Sequence, residues 1–228
     1  MMVLLAGAAA LFAAAPAMAQ VGHPPDRSPF LDLEHNQELT FVGGWMKARH
    51  DPAGVAPLSR PAFGVRYELT LTGPLALSSD IWTAFGSRNV VDPLKPAATR
   101  SIGTQSNVET ALDLALAMNL PGTRSWHRLV PQVRGGIGFV HNGAKDDSSG
   151  FAFGTPFAFS LGGGLKYVPG GKIQLRADLS DHIFKLGYPD AYYRLASDNT
   201  TVIPASTPRS FYTHHTMFTV GVSYLFGR

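Results

Sequence analysis

Acid, hydroxyl and imidazole side chains come together in the run Asp178-Leu179-Ser180-Asp181-His182. Alternate residues of a β-strand point to the same face, so Asp178, Ser180 and His182 would share one side of a strand. Such a set could act as a nucleophile with its general base and an orienting acid. The same three residues also fit the polar mouth of a lumen without any catalytic role, and we expect this second arrangement.

Other patterns that carry chemistry are weak or missing. The sequence has no Cys, which excludes a disulfide framework, a thiolate nucleophile and cysteine-ligated metal centres. The neighbours His214 and His215 would point to opposite faces of a strand and could not easily share a metal ion. No G-x-S-x-G run is present. We therefore expect no catalytic residues, no metal and no cofactor.

The composition points away from an ordinary soluble domain and toward export. Charged residues are 15% of the 228 residues, against roughly 25% in soluble domains. The net charge of +3 is too small to indicate a nucleic-acid partner. Residues 1–19 are apolar and end in the A-x-A sequence Ala17-Met18-Ala19, which predicts a secretory signal peptide. No later stretch is apolar for the 18 or so residues that a membrane helix needs.

Alternation with a period of two dominates the chain after residue 35. From Phe63 to Leu71 every second residue is apolar, and the residues between them are polar or small. Seven further segments alternate in the same way, which predicts eight strands. The segment Leu75–Phe85 alternates least clearly. Its better register puts Asp80 on the polar face and leaves Trp82 on that face too, where an aromatic residue is unexpected.

The connections between the predicted strands alternate in length. Three are short and contain Gly or Pro: Thr72–Pro74, Asn119–Ser125 and Pro169–Gly171. Four are long and polar: Lys47–Ala62, Gly86–Ser106, His141–Pro156 and Phe184–Phe211. Short periplasmic turns and longer extracellular loops are typical of transmembrane barrels. The sequence thus predicts an all-β, eight-stranded antiparallel up-and-down transmembrane β-barrel over residues 36–228, with a periplasmic lead-in over residues 20–35.

The polar face of the strands is predicted to line the lumen. It carries few charges among many small residues, which suits the narrow interior of an eight-stranded barrel. The predicted polar network has four cations and four anions: Arg66, Arg134, Lys166, Arg176, Glu68, Glu109, Asp113 and Asp178. Asp80 is a less certain fifth anion. Buried charges are costly unless they are paired, so a near-balanced set predicts a closed, salt-bridged lumen.

Aromatic residues of the apolar face fall into two groups, as in the girdles of membrane barrels. The group expected at the outer rim is Trp45, Phe139, Phe157 and Phe218, and the group expected at the periplasmic rim is Tyr167, Tyr224 and Phe226.

The last strand resembles the carboxy-terminal assembly signal of bacterial outer-membrane barrels. Its residues Gly221, Tyr224 and Phe226 match the pattern polar–x–Gly–x–x–aromatic–x–aromatic, although Gly227 and Arg228 follow the aromatic that is usually final. In size and layout the chain is most similar to small OmpA-like barrels. The resemblance implies location in the outer membrane and insertion by the barrel-assembly machinery. It implies no activity by itself.

Three functions are compatible with this sequence. We expect a non-enzymatic barrel that serves envelope structure or surface interaction through its long loops. The alternatives are a narrow porin or transporter for small solutes, hydrophobic ones included, and a lipid-modifying enzyme that uses Asp178, Ser180 and His182. The expected partners are outer-membrane lipid and lipopolysaccharide. The cations assigned to loops, which could touch lipopolysaccharide phosphates, are Lys47, Arg49, Arg60, Arg88, Lys95, Arg100, Lys185, Arg194 and Arg209.

Overall fold

Long antiparallel strands account for most of the computed structural model, which describes residues 28–143 and 149–227. The strands are β1 (Phe30–Asp32), β2 (Gln37–Ala48), β3 (Arg60–Thr72), β4 (Leu75–Val91), β5 (Ser101–Asn119), β6 (Arg124–Trp126), β7 (Leu129–Asn142), β8 (Phe157–Tyr167), β9 (Ile173–Gly187) and β10 (Ser210–Phe226). Single 3-10 turns lie at Ala97–Thr99 and Asp190–Tyr193. In the described ranges no helix has the length and apolar character needed to cross a membrane. The predicted signal peptide lies outside the described residues.

Eight of the strands close into a barrel. Each of β2, β3, β4, β5, β7, β8, β9 and β10 pairs antiparallel with the next, and β10 returns to pair with β2. Closure leaves no free sheet edge within the membrane, where an unpaired backbone group would have no water to bind. The predicted eight-stranded up-and-down barrel is thereby confirmed.

The strands turn their apolar residues outward. Phe41 on β2 and Leu161 on β8 are 63% and 58% exposed, whereas Glu109 and Asp113 on β5 are fully buried in the lumen. The aromatic side chains expected in the two girdles lie on this outer face. In water such a face would be a continuous apolar belt, which soluble monomers rarely expose. The belt is therefore the surface that contacts hydrocarbon.

The connections keep the predicted alternation, but the long ones are shorter than the sequence suggested. The strands leave loops over residues 49–59, 92–100 and 188–209, and the described part of the loop between β7 and β8 covers residues 143 and 149–156. The predicted loop Gly86–Ser106 is mostly a continuation of the β4–β5 hairpin. Alternation fades there because strands that extend beyond the bilayer no longer need an apolar outer face.

The described part of the lead-in forms a cover at the periplasmic end. Phe30–Asp32 pairs with β6 in the turn that joins β5 and β7, and Asp32 accepts a 2.8 Å bond from Arg124. The amide of Leu33 donates to the carbonyl of Thr123. Above this cover lies a cavity of about 400 Å³ whose inner wall includes Glu38. Residues 28–35 of the lead-in are thus held in place by backbone pairing.

Candidate functional site

The periplasmic half of the lumen holds an ion network centred on Arg176. Its guanidinium donates to Asp178 at 2.8 and 3.0 Å, to Glu38 at 2.9 Å, and also to Glu68. Lys166 reaches the same two glutamates, at 2.7 Å from Glu38 and 3.0 Å from Glu68. All five side chains are buried. The network therefore ties β2, β3, β8 and β9 together across the barrel axis.

A second group of charges lies next to the first and shares Asp178 with it. Arg134 binds Asp80 at two points, at 2.8 and 3.2 Å. Arg66 also binds Asp80, and its second nitrogen lies 3.2 Å from Asp178. Asp80, the less certain anion of the sequence prediction, thus lies inside the lumen. A paired, hydrogen-bonded set of this kind is the form in which charges are tolerated away from water.

The network balances, with four cations (Arg66, Arg134, Lys166 and Arg176) against four anions (Glu38, Glu68, Asp80 and Asp178). Two glycines make room for the acids. A Cβ at Gly164 would overlap Asp178, and one at Gly138 would come within 2.6 Å of Asp113.

Two histidine–carboxylate pairs cross the lumen above the ion network. His182 on β9 lies 3.0 Å from Asp113 on β5, and the indole N–H of Trp82 lies 3.2 Å from both. His215 on β10 lies 2.8 Å from Glu109, also on β5. Glu109 and Asp113 therefore lie inside the barrel, as do the other six residues of the predicted network, but they pair with imidazoles rather than with Arg or Lys.

The catalytic set considered as an alternative for Asp178, Ser180 and His182 is not assembled. Asp178, Ser180 and His182 share the lumen face, as the alternation indicates. Asp178 binds Arg176, however, while His182 binds Asp113 and Trp82. The acid and the base are thus each engaged by residues outside the trio. This arrangement supports the polar-lining interpretation of the three residues.

An apolar cap fills the extracellular end of the barrel. Wall residues and loop residues meet there in one buried cluster, whose larger members are Met46, Val55, Phe151, Phe153, Phe184, Tyr188, Tyr192, Ile203 and Met217. Tyr188 stacks on Tyr192 with ring centroids 5.6 Å apart. Its hydroxyl donates to Asp51 at 2.6 Å, and Asp51 also accepts from the amides of Val55 and Ala56. Burial, together with the bond to Asp51, raises the pKa of Tyr188, so this phenol remains a neutral donor.

Two loops are pinned to each other outside the cap. Arg100 donates to the carbonyl of Thr201 at 2.8 Å and to the hydroxyl of Thr200 at 2.6 Å. Asp198 accepts from the amide of Ala97 at 2.8 Å. The loops between β4 and β5 and between β9 and β10 are thereby held in one arrangement over the barrel mouth.

Two residues assigned to loops lie in the lumen instead. Arg60 is the first residue of β3, and Arg88 lies three residues before the end of β4. Both side chains point inward and are 1% exposed. Arg60 donates to the carbonyls of Leu58 and Ser87, and Arg88 lies over the ring of Phe151. The sequence placed them wrongly because the strands extend further than the apolar alternation. Neither side chain is available to lipopolysaccharide.

Two lumen residues, Glu38 and His215, were missed by the sequence prediction, and a third, Trp82, was placed on the lumen face against its residue type. Glu38 precedes the first strong apolar residue of β2, but it has the same parity as Thr40, which signals its inward position. Trp82 has the parity of Asp80, although its aromatic character argued for the outer face. His215 was considered only as half of a metal-binding pair. Because side chains alternate between the two faces of a strand, the position of each residue relative to its polar neighbours places all three side chains in the lumen. Only at Trp82 did residue type argue for the outer face.

Solved structures show which fold this is. Neisserial surface protein A matches with a TM-score of 0.52 and 12% identity, over 83% of this chain and 97% of that one. The outer membrane protein OprG from Pseudomonas aeruginosa matches with a TM-score of 0.52 and 11% identity, over 85% and 98%. The chain has the fold of a small outer-membrane β-barrel. The apolar belt and this fold together place the barrel in the bacterial outer membrane. No family model matches the sequence, and no curated protein is recognisably similar to it.

Proposed function

We propose that this barrel is a non-enzymatic outer-membrane protein, closed along its axis, that supports the envelope and presents a fixed loop surface to the outside. The observation that carries the proposal is the filled lumen. A balanced ion network occupies its periplasmic half and an apolar cap occupies its extracellular end. An ion would have to break paired charges and then pass an apolar layer, and both steps are unfavourable.

The loop arrangement supports a role at the cell surface. Loops carry the binding functions of many rigid scaffolds, and here the strands position them. The bonds of Arg100 and Asp198 hold two of the loops in one conformation, and the bond from Tyr188 to Asp51 ties the loop between β2 and β3 to them. A surface with one conformation loses little entropy when a partner binds to it.

Conductance in planar bilayers tests the closed lumen. Refolded protein should insert without producing a steady current. A steady conductance would overturn the closed barrel and favour a narrow porin. Uptake of small apolar solutes into liposomes that contain the protein would favour the transporter instead.

The enzyme alternative has its own test. Cells that express the wild type or His182→Ala should yield identical lipid A and phospholipid mass spectra, because His182 serves as a structural partner of Asp113. A modified lipid that appears with the wild type and disappears with the variant would contradict the non-enzymatic assignment.

A further inference from the structure

Within the eight barrel strands, outward-pointing cations are confined to one side of the barrel. Of the Lys and Arg residues in its eight strands, only Lys47 on β2 and Lys185 on β9 point outward and are exposed. Arg49, directly after β2, is exposed beside them. On the remaining wall the two highest cations, Arg60 and Arg88, point inward. The outer face of β2, β10 and β9 thus carries the positive charge of the extracellular rim.

These cations form two groups with β10 between them. Lys47 lies opposite Thr216 of β10, and the amide of Arg49 bonds the carbonyl of His214. Lys185 lies opposite Tyr212 on the other side of β10. The backbones that carry the two groups lie two strand spacings of about 4.8 Å apart. They are also offset along β10, by two residues from His214 to Tyr212 and by four residues from Thr216 to Tyr212. At about 3.3 Å per residue, the backbone of Lys185 is therefore roughly 12 Å from that of Arg49 and roughly 16 Å from that of Lys47.

The acid on this face does not neutralise the cations. Asp181 is engaged by the imidazole of His214 at 2.6 Å. Among the described residues neither Lys47 nor Lys185 forms an ion pair with a carboxylate. Both ammonium groups therefore remain available at the level where the strands leave the hydrocarbon.

An apolar groove opens beside Lys185. It is about 470 Å³ in volume, and its lining includes Pro156, Phe157, Phe159, Gly187 and Tyr212. The groove forms because β8 begins only at Phe157, while the β9–β10 hairpin continues upward to residues 187 and 210. It lies on the lipid-facing side of the wall, where an acyl chain is the available apolar filling.

We infer that this face binds one molecule of lipopolysaccharide through its lipid A portion. An acyl chain lies in the groove against Phe157 and Phe159, one phosphate binds Lys185, and the second binds Lys47 and Arg49. Ammonium and guanidinium groups form strong charge-assisted bonds with phosphate. Two cation groups on either side of a strand suit a ligand with two separated phosphates, whereas phosphatidylglycerol offers one phosphodiester. The inference rests on the outer-membrane placement of the barrel, but not on whether its lumen is closed.

Native mass spectrometry of the full refolded chain tests the inference with three probes at equal concentration: bisphosphorylated lipid A, monophosphorylated lipid A and phosphatidylglycerol. The wild type should retain bisphosphorylated lipid A at least about tenfold more tightly than either of the others, because removing one charge-assisted hydrogen bond weakens binding by about that factor. Equal retention of phosphatidylglycerol would overturn the choice of lipid A.

Variants locate the site. Lys185→Gln and the double variant Lys47→Gln/Arg49→Gln should each weaken retention of bisphosphorylated lipid A about tenfold. Arg194→Gln, which removes a cation from the β9–β10 loop, is the matched control and should bind as the wild type does. Binding that is unchanged in both Lys185→Gln and Lys47→Gln/Arg49→Gln would overturn the site. An equal reduction in the Arg194→Gln control would also overturn it. If the barrel conducts ions but still binds lipid A, the closed-lumen function proposed above is wrong and the lipid A site stands.

Discussion

Arg176 holds the ion network together because its planar guanidinium faces three carboxylates at once. A buried ion pair is weak proof of net stability, since both charges first lose their water. Removal of one partner, by contrast, lowers the free energy of unfolding, because the remaining charges stay buried without an opposite charge beside them. Glu38 and Glu68 would keep Lys166, but Asp178 would depend on the more distant Arg66.

The substitution Arg176→Met should therefore lower the free energy of unfolding by about 3–5 kcal/mol. The measurement is urea unfolding of the barrel in detergent micelles. Arg124→Met is the matched control, because the Arg124–Asp32 pair is exposed and its removal should change stability by about 1 kcal/mol or less. Equal decreases in the two variants would show that the network does not stabilise the barrel.

At the residue scale, parity predicts which residues lie in the lumen but not which partners they take. Glu109 and Asp113 could be placed inside from their alternation with apolar neighbours. Their pairing with His215 and His182 depends on strands that lie opposite each other across the barrel, and the sequence contains no distance across that space. Residue type, as at Trp82, even suggested the wrong face.

At the scale of the element, β8 shows why the last of its three successive glycines, Gly164, has no side chain. A Cβ at Gly164 would overlap the carboxylate of Asp178 on the neighbouring strand. Gly164→Ala should displace Asp178 from Arg176 and lower the free energy of unfolding by about 1–3 kcal/mol. Gly135→Ala is the control, because its Cβ would meet only Leu161 at an ordinary 3.4 Å. A Gly164→Ala barrel as stable as the control would contradict the close packing.

The last strand allows the predicted assembly signal to be separated from stability. Phe226 and Phe218 both lie on the outer side of β10, Phe226 at its periplasmic end and Phe218 at its middle. Phe226→Ala should reduce the amount of folded barrel in the outer membrane, measured as the heat-modifiable band on a gel, whereas Phe218→Ala should not. Similar reductions in both variants would mean that removal of an outer aromatic ring, rather than of the signal, limits assembly.

The bonds of Asp198 between two loops predict a pH dependence. The hydroxyl of Thr200 and the amide of Ala97 donate to this carboxylate and lower its pKa to about 2, from an ordinary value of 3.8. A lowered pKa means that these bonds contribute fully above pH 3.8 and disappear as the pH falls through about 2. NMR titration of the Asp198 carboxyl carbon should show a midpoint near 2, and the Ala97 amide shift should follow it.

Asp198→Asn removes the titrating group, so the Ala97 amide should then show no transition over the same range. A wild-type midpoint at 3.8 would show that this carboxylate does not hold the two loops together.

Element ends were the least predictable part of the fold. The strands within the bilayer can be predicted from alternation, because residues that face lipid must be apolar and the residues between them, which face the lumen, are polar or small. Above the bilayer that constraint disappears, and β4 and β5 continue as far as Val91 and Ser101 without an apolar face. The same absence of alternation hid the inward direction of Arg60 and Arg88.

At the scale of the whole molecule, the two histidine–carboxylate pairs lie in the middle of the lumen, between the ion network on the periplasmic side and the apolar cap on the extracellular side. Ser160 lies on β8 directly opposite His182 and is 1% exposed. Because the natural chain has no Cys, one substitution introduces a unique thiol. Ser160→Cys is nearly isosteric, so it reports access to the middle of the lumen without a large disturbance.

In the folded barrel a charged, water-soluble maleimide should leave Ser160→Cys unmodified, while Ser106→Cys on the exposed upper part of β5 should react completely. After unfolding in urea both thiols should react. Intact-mass spectrometry measures the extent of labelling in each state. Rapid labelling of folded Ser160→Cys would mean that solvent passes one of the two barriers, because a thiolate can attack a reagent only where the reagent reaches it. Protection that disappears in the Arg176→Met background would identify the ion network as the barrier on the periplasmic side.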